Sequence, residues 1–265
     1  MTDAVKPSRP TVSVVIPVKD DDTELRRCLR ALALQTRLPD EIVVVDNGST
    51  DSSAEVARAL GARVVRCDEP GIPAASSCGY DVATGDYILR LDADCLPSHT
   101  WVATMTGALR ARPEVAAFTG GARFIDGPRR LRRPLAALYL GAYALVTASA
   151  LGHLPLFGSN LAFRASAWRD VREAVHRHDP EMHDDLDLAF HLGDRHRIRY
   201  LRRAAMGISM RPFGDRTGFR RRVRRGYHTV TAHWPEDFPP VRWQKLAMRR
   251  GLHLLRVPTP RSRAR

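Results

Sequence analysis

Four short apolar runs alternate with stretches of helical periodicity in the first hundred residues, and this alternation constrains the fold more than any other feature. The runs, rich in β-branched residues, lie at 11–16, 41–45, 62–66 and 87–91. Between them, apolar residues recur at helical spacing, with Asp, Ser or Gly at the boundaries. Short apolar strands connected by helices form parallel sheets. The sequence therefore predicts an α/β fold with a Rossmann-like, mostly parallel sheet flanked by helices.

Polar turns follow three of the predicted strands, at residues 17–22, 46–51 and 92–94. In such sheets, ligands bind beyond the carboxyl ends of the strands. Residues two apart on a strand face the same side, so the carboxylates of Asp92 and Asp94 can point into one crevice. Mg²⁺ and Mn²⁺ prefer such oxygen ligands. The Asp92-Ala93-Asp94 turn therefore predicts a divalent metal site, with a solvated turn or a helix cap as the alternative.

Asp46 and Asn47 follow the second strand. Their carboxylate and amide groups can bind a nucleobase edge or a ribose hydroxyl. The alternative is ordinary turn chemistry, because Asn-Gly is a common turn pair.

An acidic segment begins a predicted helix over residues 184–193. Helical spacing places Asp185 on the apolar face, so it is expected to point inward. Asp184 lies with Asp187 and His191 on a more polar face. An inward carboxylate beside a metal site suits a general base. The alternative is that these acids cap the helix and oppose its dipole.

The chain is basic, with 42 Lys and Arg against 29 Asp and Glu and a formal net charge of +13. This excess favours phosphates, nucleic acid or an acidic membrane face as partners. Much of it lies in a C-terminal extension over 211–265, which includes the arginine-rich stretch 211–225. Residues 1–10 are expected to be flexible and show no secretory signal. The four cysteines form no Cys-x-x-Cys pair and no Cys/His cluster has zinc spacing, which favours reduced thiols in the cytosol.

Five segments together resemble the family 2 glycosyltransferases of the GT-A fold. In chain order they read VSVVIPVKD, EIVVVDNGSTD, ATGDYILRLDAD, FGSNLAFRASAW and MHDDLDLAFHL. The resemblance covers about Val12 to Leu192. It implies a GT-A catalytic domain over 11–210, with a nucleotide-binding half at about 11–97 and a less regular acceptor half at about 98–210.

The resemblance also implies roles for individual residues. Asp94, with Asp92, should bind Mn²⁺ or Mg²⁺ and the donor diphosphate, and Asp185 should be the general base. The other positions are implied to contact the nucleotide (Pro17, Val18, Asp46, Asn47, Asp92 and Ala93) or to border the donor sugar and the acceptor (Gly158, Ser159, Asn160 and Asp184).

The implied reaction moves a single sugar, with inversion, from a UDP-, GDP- or dTDP-sugar to a hydroxyl acceptor, either lipid-linked or a small metabolite. Two departures from the family pattern matter. Residues 75–77 read Ala-Ser-Ser where the family often has Ala-Arg-Asn, so a basic donor contact is expected from elsewhere. The Gln-x-x-Arg-Trp motif of processive members is absent, which favours transfer of one sugar over polymer synthesis.

The sequence leaves two other classes of protein as alternatives. A sugar nucleotidyltransferase needs a glycine-rich, basic loop after the first strand, whereas residues 17–22 are acidic. A nucleic-acid-binding protein is suggested only by the charge, and the chain has no recognisable binding module, so no specific nucleic-acid partner is expected.

The apolar segment 135–157 has nearly the length of a membrane-spanning helix. It contains Gly141, Gly152, His153 and Pro155 and leads directly into the FGSN motif. We therefore predict a buried or acceptor-lining helix, with shallow membrane contact as the alternative. The expected location is the cytoplasm, with peripheral contact to the anionic inner face of the membrane.

Overall fold

A computed structural model of the chain describes residues 9–210 and 216–255. Most of the predicted flexible N-terminus, the first part of the arginine-rich stretch and the basic tail lie outside these residues. Within them, the strands are β1 Val12–Val18, β2 Glu41–Asp46, β3 Arg63–Arg66, β4 Tyr87–Arg90, β5 Leu96–Pro97, β6 Val115–Phe124, β7 Leu161–Arg164 and β8 Arg197–Ile208. The helices are α1 Asp22–Ala33, α2 Ser53–Ala59, α3 Ile72–Val82, α4 Trp101–Ala111, α5 Arg132–Leu151, α6 Ala165–Val171, α7 Asp184–Arg195, α8 Arg216–Ala232 and α9 Pro239–Leu255, with a 3₁₀ turn at Gly158–Asn160.

The described strands form one sheet in the order β3-β2-β1-β4-β7-β6-β8-β5. The four strands predicted from the apolar runs are parallel neighbours. Beyond β4 the sheet is mixed, because β7 runs antiparallel to both β4 and β6, while β8 is parallel to β6 and antiparallel to β5. The predicted α/β fold is confirmed, and its irregular second half is this mixed region.

Two apolar layers cover the sheet. Val12, Val14 and Ile16 of β1 face one side, where α1, α2 and α4 pack against them. Val15 of β1 and Val43 of β2 face the other side, where α3, α6 and α7 pack. Alternate residues of a strand point to opposite faces, so a strand covered on both sides is apolar throughout. The packing of α7 on the second face places its acidic start at the sheet edge.

Helix α5 lies mainly outside the core. It is the single helix in the described ranges that is long and apolar enough to cross a membrane, and 22% of its apolar window is buried. Its buried side chains are few: Ala136, Thr147, Ala150 and Leu151. The prediction of a buried helix is therefore wrong. The other form of the prediction, a helix that lines a binding surface, does not require burial in the core.

Helix α9 is held to α5 and α7 by the fully buried Arg242. Its guanidinium donates to the carbonyls of Leu151 at 2.8 Å and Phe190 at 2.7 Å. It also pairs with Asp237 at 2.9 Å and Asp194 at 3.1 Å. Much of the basic C-terminal extension is thus packed against α5 and α7.

Candidate functional site

The polar turns converge at one edge of the sheet. Strands β1 and β2 end in register, with Val18 opposite Asp46. Strand β4 ends at Arg90, and the next turn closes with a 3.1 Å hydrogen bond from the Cys95 N–H to the Asp92 carbonyl. A carboxylate oxygen of Asp92, one of Asp94 and the Cys95 sulfur lie within 4.8 Å of one another. The predicted metal residues are therefore brought together.

The donor set of this turn fits a hard divalent cation. Burial raises the pKa of the Cys95 thiol well above its ordinary value, an effect that the nearby Asp92 and Asp94 reinforce. The thiol therefore stays protonated and is a poor ligand. The two carboxylates remain, and Mn²⁺ or Mg²⁺ is commonly held by one or two carboxylates together with phosphate oxygens.

A buried arginine links this turn to α7. The Nη2 atom of Arg90 lies 2.9 Å from Oδ1 of Asp92 and 3.1 Å from Oδ2 of Asp184. Burial alone would lower the pKa of Arg90, but Asp184 and Asp92 raise it, so the guanidinium stays charged. Sequence reasoning missed this residue. The available signal was an arginine inside an otherwise apolar strand, two residues before a carboxylate.

Asp185 is buried, as the helical pattern predicts, and is 5% exposed. Its Oδ2 accepts from the Gly158 N–H at 2.6 Å, and its Oδ1 lies 2.6 Å from Nδ1 of His183. A side chain at position 158 would collide with the Arg90 guanidinium, so this close approach requires glycine. Burial tends to raise the pKa of Asp185, but the charge and hydrogen bond of His183 outweigh it and lower the pKa, which keeps the carboxylate ionised.

Asp184 lies on the other side of the same helix start. Its Oδ2 accepts from the Ser76 hydroxyl at 2.9 Å, besides pairing with Arg90. Burial raises the pKa of Asp184, the opposite direction to that of Asp185. Asp187 is also covered, at 3% exposure. The more polar face of α7 is therefore packed inside the protein rather than turned to solvent.

The residues predicted to contact the nucleotide mostly shape the crevice. The Asn47 amide donates to the carbonyls of Cys67 at 3.0 Å and Glu69 at 2.6 Å, and its oxygen accepts from the Gly71 N–H at 2.9 Å. Asn47 thereby fixes the connection between β3 and α3. The Val18 side chain belongs to the core and its carbonyl accepts from the Asn47 N–H at 2.9 Å.

The nearby polar groups are more open. Asp46 accepts from the Ser49 N–H at 3.0 Å and is partly exposed, as is Pro17. Ala93, between the two carboxylates, is buried. Pro17, Asp46 and Asp92 are thus the members of this set whose side chains are partly exposed to the crevice.

The Gly158–Asn160 turn divides into two parts. The Ser159 hydroxyl donates a short hydrogen bond to Asp92, and this bond joins the Gly158–Asn160 turn to the Asp92–Asp94 turn. Asn160 is fully buried: its oxygen accepts from Trp101 Nε1 and its amide donates to the carbonyls of Gly121 and Ala204, each at 2.8 Å. All of its polar groups are used inside the protein. Asn160 therefore holds the turn in place. Ser159 is the partly exposed residue of this turn, whereas Gly158 is buried against Arg90 and Asp185.

An apolar groove adjoins this site. Its volume is about 690 Å³, and it lies between α5, α7, α8 and α9. The residues that line it include Tyr143, Val146, His183, Phe219, Val223, Gly226, Tyr227 and Trp243. His183 both lines the groove and contacts Asp185, so this side chain lies between the groove and the acidic centre. Sequence reasoning missed the α8 wall, because arginines surround its apolar residues in the sequence.

The model of a known family, described as Glycosyl transferase family 2, matches residues 13–170, more than half of the chain. This chain belongs to glycosyltransferase family 2. Among curated relatives, glycosyltransferase AglE of Haloferax volcanii is 34% identical over 110 residues, which cover 37% of this chain and 36% of that protein. A PGL/p-HBAD biosynthesis glycosyltransferase of Mycobacterium bovis is 37% identical over 91 residues, covering 32% and 36%. The chain thus spans about a third of the length of these relatives.

Solved structures show the same fold. Glucosyl-3-phosphoglycerate synthase from Mycobacterium tuberculosis, in complex with Mn²⁺, UDP and glucosyl-3-phosphoglycerate, superposes with a TM-score of 0.60 at 22% identity, covering 84% of this chain and 79% of that one. Its complex with Mn²⁺, UDP-glucose and glycerol 3-phosphate gives 0.59 at 21% identity, with the same coverage. The fold of the family 2 chain is therefore GT-A. These comparisons favour neither the nucleotidyltransferase nor the nucleic-acid-binding alternative.

Proposed function

We propose that this family 2 protein is a metal-dependent, inverting glycosyltransferase that moves one sugar from a nucleotide diphosphate sugar to an acceptor hydroxyl. The observation that carries the proposal is the Arg90 bridge, because it joins the Asp92–Asp94 turn to the start of α7. A metal ligand pair and a candidate base are thereby held at one crevice. The structural neighbours were crystallised with UDP or UDP-glucose, which favours a UDP-sugar donor over GDP or dTDP forms.

Asp94, with Asp92, would hold Mn²⁺ or Mg²⁺ against the donor diphosphate. When bound, such an ion offsets the negative charge that grows on the leaving diphosphate. Pro17, Val18, Asp46, Asn47 and Ala93 would form the walls and floor of the nucleotide pocket, as backbone and side-chain surfaces. Gly158, Ser159 and Asp184 would border the transferred sugar.

Asp185 would accept the proton of the acceptor hydroxyl. A carboxylate offers about four lone-pair positions. Three are approached by the Gly158 N–H, the His183 imidazole and, at 3.4 Å, the Tyr143 hydroxyl. The remaining position can take the acceptor. The acceptor oxygen then bonds to the anomeric carbon as the bond from that carbon to the diphosphate oxygen breaks on the opposite face, which inverts the configuration.

The acceptor would be amphipathic, with its apolar part in the groove and its hydroxyl near His183 and Asp185. Ligand pockets typically have volumes of about 300–1,000 Å³, with mainly apolar walls. The groove fits this description and opens outward through side chains such as Val146 and Tyr227, each 69% exposed. We therefore favour a lipid-linked acceptor over a small polar metabolite.

Peripheral contact with an anionic membrane, at its cytoplasmic face, is part of this proposal. On α5, Leu138 is 70% and Leu145 76% exposed, and arginines flank the groove on α8. Apolar side chains beside basic ones favour shallow contact with acidic lipid. Sedimentation with vesicles of neutral or acidic lipid, at low and high salt, measures this contact directly.

Donor binding should depend on a divalent ion held at Asp94. Removing the ion leaves the diphosphate facing two carboxylates, and Asp94→Ala removes a ligand. Calorimetry with UDP and Mn²⁺ is therefore expected to lose most of its heat after chelation or in Asp94→Ala. The exposed Asp68→Ala is the control and should bind like the parent. Equal UDP affinity with and without metal would contradict the assignment.

Filling the groove should impair use of an apolar acceptor but leave donor binding intact. A Cβ built on Gly226 meets no atom within 4 Å, so Gly226→Leu fits the helix and occupies groove volume. We expect KM for an alkyl-glycoside acceptor in micelles to rise at least about 10-fold, since a few buried methylene groups contribute about 0.8 kcal/mol each. The UDP affinity should not change.

Gly107→Leu, on the distant α4, is the matched control. Its built Cβ also meets no atom within 4 Å, so the two variants share the helix-stabilising effect of replacing glycine. The groove assignment fails if both variants use the apolar acceptor equally well, or if a soluble polar sugar acceptor is equally affected by Gly226→Leu.

A further inference from the structure

Three histidines surround one aspartate of α7, Asp187, away from the Asp92–Asp94 turn. Asp187 and His191 stand one turn apart on α7, His176 precedes this helix, and His233 follows α8. One nitrogen of each imidazole and one oxygen of Asp187 all lie within 4.8 Å of one another. We propose that this cluster, which we call the His₃Asp cluster, is a structural site for a divalent transition metal of the Zn²⁺ class.

Two of the ligand-atom distances in the cluster match tetrahedral coordination. With zinc–ligand bonds of about 2.0–2.1 Å, neighbouring ligand atoms of a tetrahedron lie about 3.3–3.4 Å apart. Oδ1 of Asp187 lies 3.4 Å from Nε2 of His191 and 3.3 Å from Nε2 of His233. Nδ1 of His176 is closer to the same oxygen, at 2.7 Å, and would move outward on binding.

The hydrogen bonding of His233 gives an independent reason for an ion. Its Nδ1 lies 2.7 Å from the Thr229 carbonyl, an acceptor, so this nitrogen carries a proton. In the neutral form of this imidazole, the lone pair is on Nε2, which lies 3.3 Å from Oδ1 of Asp187, whereas a protonated form would pair with that carboxylate. Within the described residues, this buried Nε2 has no hydrogen-bond partner, and the His233 side chain is 4% exposed. A cation between the two atoms would satisfy both.

The surroundings resemble those of metal-bound histidines in general. A ligating imidazole commonly donates its second N–H to a backbone carbonyl, as His233 does. Asp187 is also oriented, because its Oδ2 accepts from the His176 backbone N–H at 2.8 Å. Imidazole donors suit Zn²⁺ and its neighbours, whereas Mg²⁺ and Mn²⁺ prefer oxygen. The His176 side chain is 39% exposed and gives the ion a path of entry.

Such an ion would fix the position of α7. It would tie together the segment before α7, α7 itself and the end of α8, and α7 carries Asp184 and Asp185. The proposed ion is therefore distinct from the one at Asp94, which would bind with the nucleotide. This inference goes beyond the proposed glycosyl transfer, because it concerns a metal bound without donor or acceptor.

The direct test is the zinc content of the full chain, measured by mass spectrometry after equilibration with Zn²⁺ and no nucleotide. The parent is expected to retain about one equivalent, and His191→Gln to bind zinc at least about 10–100-fold more weakly, the range seen even for loss of an outer partner of a metal site. Asp94→Ala should retain zinc like the parent. His228→Gln is the matched control, because His228 lies on α8 outside the cluster and pairs with Asp179.

Binding of Co²⁺ provides a second measurement, which reports the coordination geometry of the ion directly. Tetrahedral Co²⁺ absorbs visible light far more strongly than octahedral Co²⁺, so the parent should develop an intense band that His191→Gln and His233→Gln lack. The melting temperature should rise with Zn²⁺ in the parent and not in His191→Gln. Equal zinc content in the parent and both cluster variants would overturn the proposal, as would a parent that binds no zinc.

Discussion

Asp185→Asn is expected to reduce turnover by about 10²–10⁴-fold, the usual effect of losing a positioned general base. Asparagine keeps the shape of the side chain, and its oxygen can still accept from the Gly158 N–H, which lies 2.6 Å from the native carboxylate. It cannot take a proton at neutral pH. The UDP affinity should be unchanged, because the proposed metal and nucleotide contacts lie on other segments. Turnover with saturating donor and calorimetry with UDP measure the two quantities separately.

Two neighbouring variants test the assignment. Asp184→Asn weakens the ion pair with Arg90, whose Nη2 lies 3.1 Å from Asp184 Oδ2. It is expected to loosen the link between α7 and the Asp92–Asp94 turn without removing the general base. His183→Gln can still donate to Asp185 and should cost less than about 10-fold. If Asp184→Asn is inactive while Asp185→Asn turns over like the parent, the base is Asp184. If His183→Gln loses as much turnover as Asp185→Asn, the proton goes to the imidazole that faces the groove.

The first hundred residues of the fold could be predicted from the sequence because the local pattern and the final sheet agree there. The β1, β2 and β4 runs are mostly apolar, since helices cover both faces of the sheet. The carboxyl ends of these strands mark the ligand-binding edge of the sheet, which is where the Asp92–Asp94 turn lies. The inward direction of Asp185 was predicted from helical spacing.

The strand order of the second half could not be predicted, because it depends on pairing between segments that are distant in the sequence. Strand β8 alternates arginines with apolar residues and resembles a basic loop in the sequence, yet it pairs with β6 over most of its length. The same pairing extends β6 to Phe124, past the apolar residues with which the strand begins. The α8 wall of the groove was hidden for a similar reason, since apolar residues at helical spacing are interrupted by arginines.

The roles of Asn160 and the His₃Asp cluster also depend on the fold. Asn160 lies in a motif that suggests contact with substrate, but its amide is consumed by Trp101 and two backbone carbonyls. The cluster draws residues from three segments, 57 positions apart at the extremes, 176 and 233. Because these residues are far apart in the sequence, they do not form one of the short Cys/His spacings that indicate a zinc site.

Arg90→Met should destabilise the protein by about 3–5 kcal/mol, because removing one partner of a buried ion pair leaves the other charge uncompensated. Methionine replaces much of the apolar stem of arginine and adds no charge. The loss falls mainly on Asp184, whose side chain is 13% exposed, rather than on Asp92, at 35%. Urea unfolding followed by circular dichroism measures the change. Arg63→Met is the control, because Arg63 is 50% exposed in its pair with Glu41 and should cost less than about 1 kcal/mol.

The double variant Arg90→Met/Asp184→Asn separates charge from packing. If the penalty arises from an unpaired carboxylate, neutralising Asp184 should recover part of the stability lost in Arg90→Met, so the double variant should be the more stable of the two. Asparagine can still accept from the Ser76 hydroxyl, which lies 2.9 Å from the native oxygen. If the two changes simply add, the bridge contributes through its shape rather than its charge, and the link between the acidic turn and α7 would not depend on the guanidinium. Recovery would show that one buried cation holds both carboxylates at the crevice.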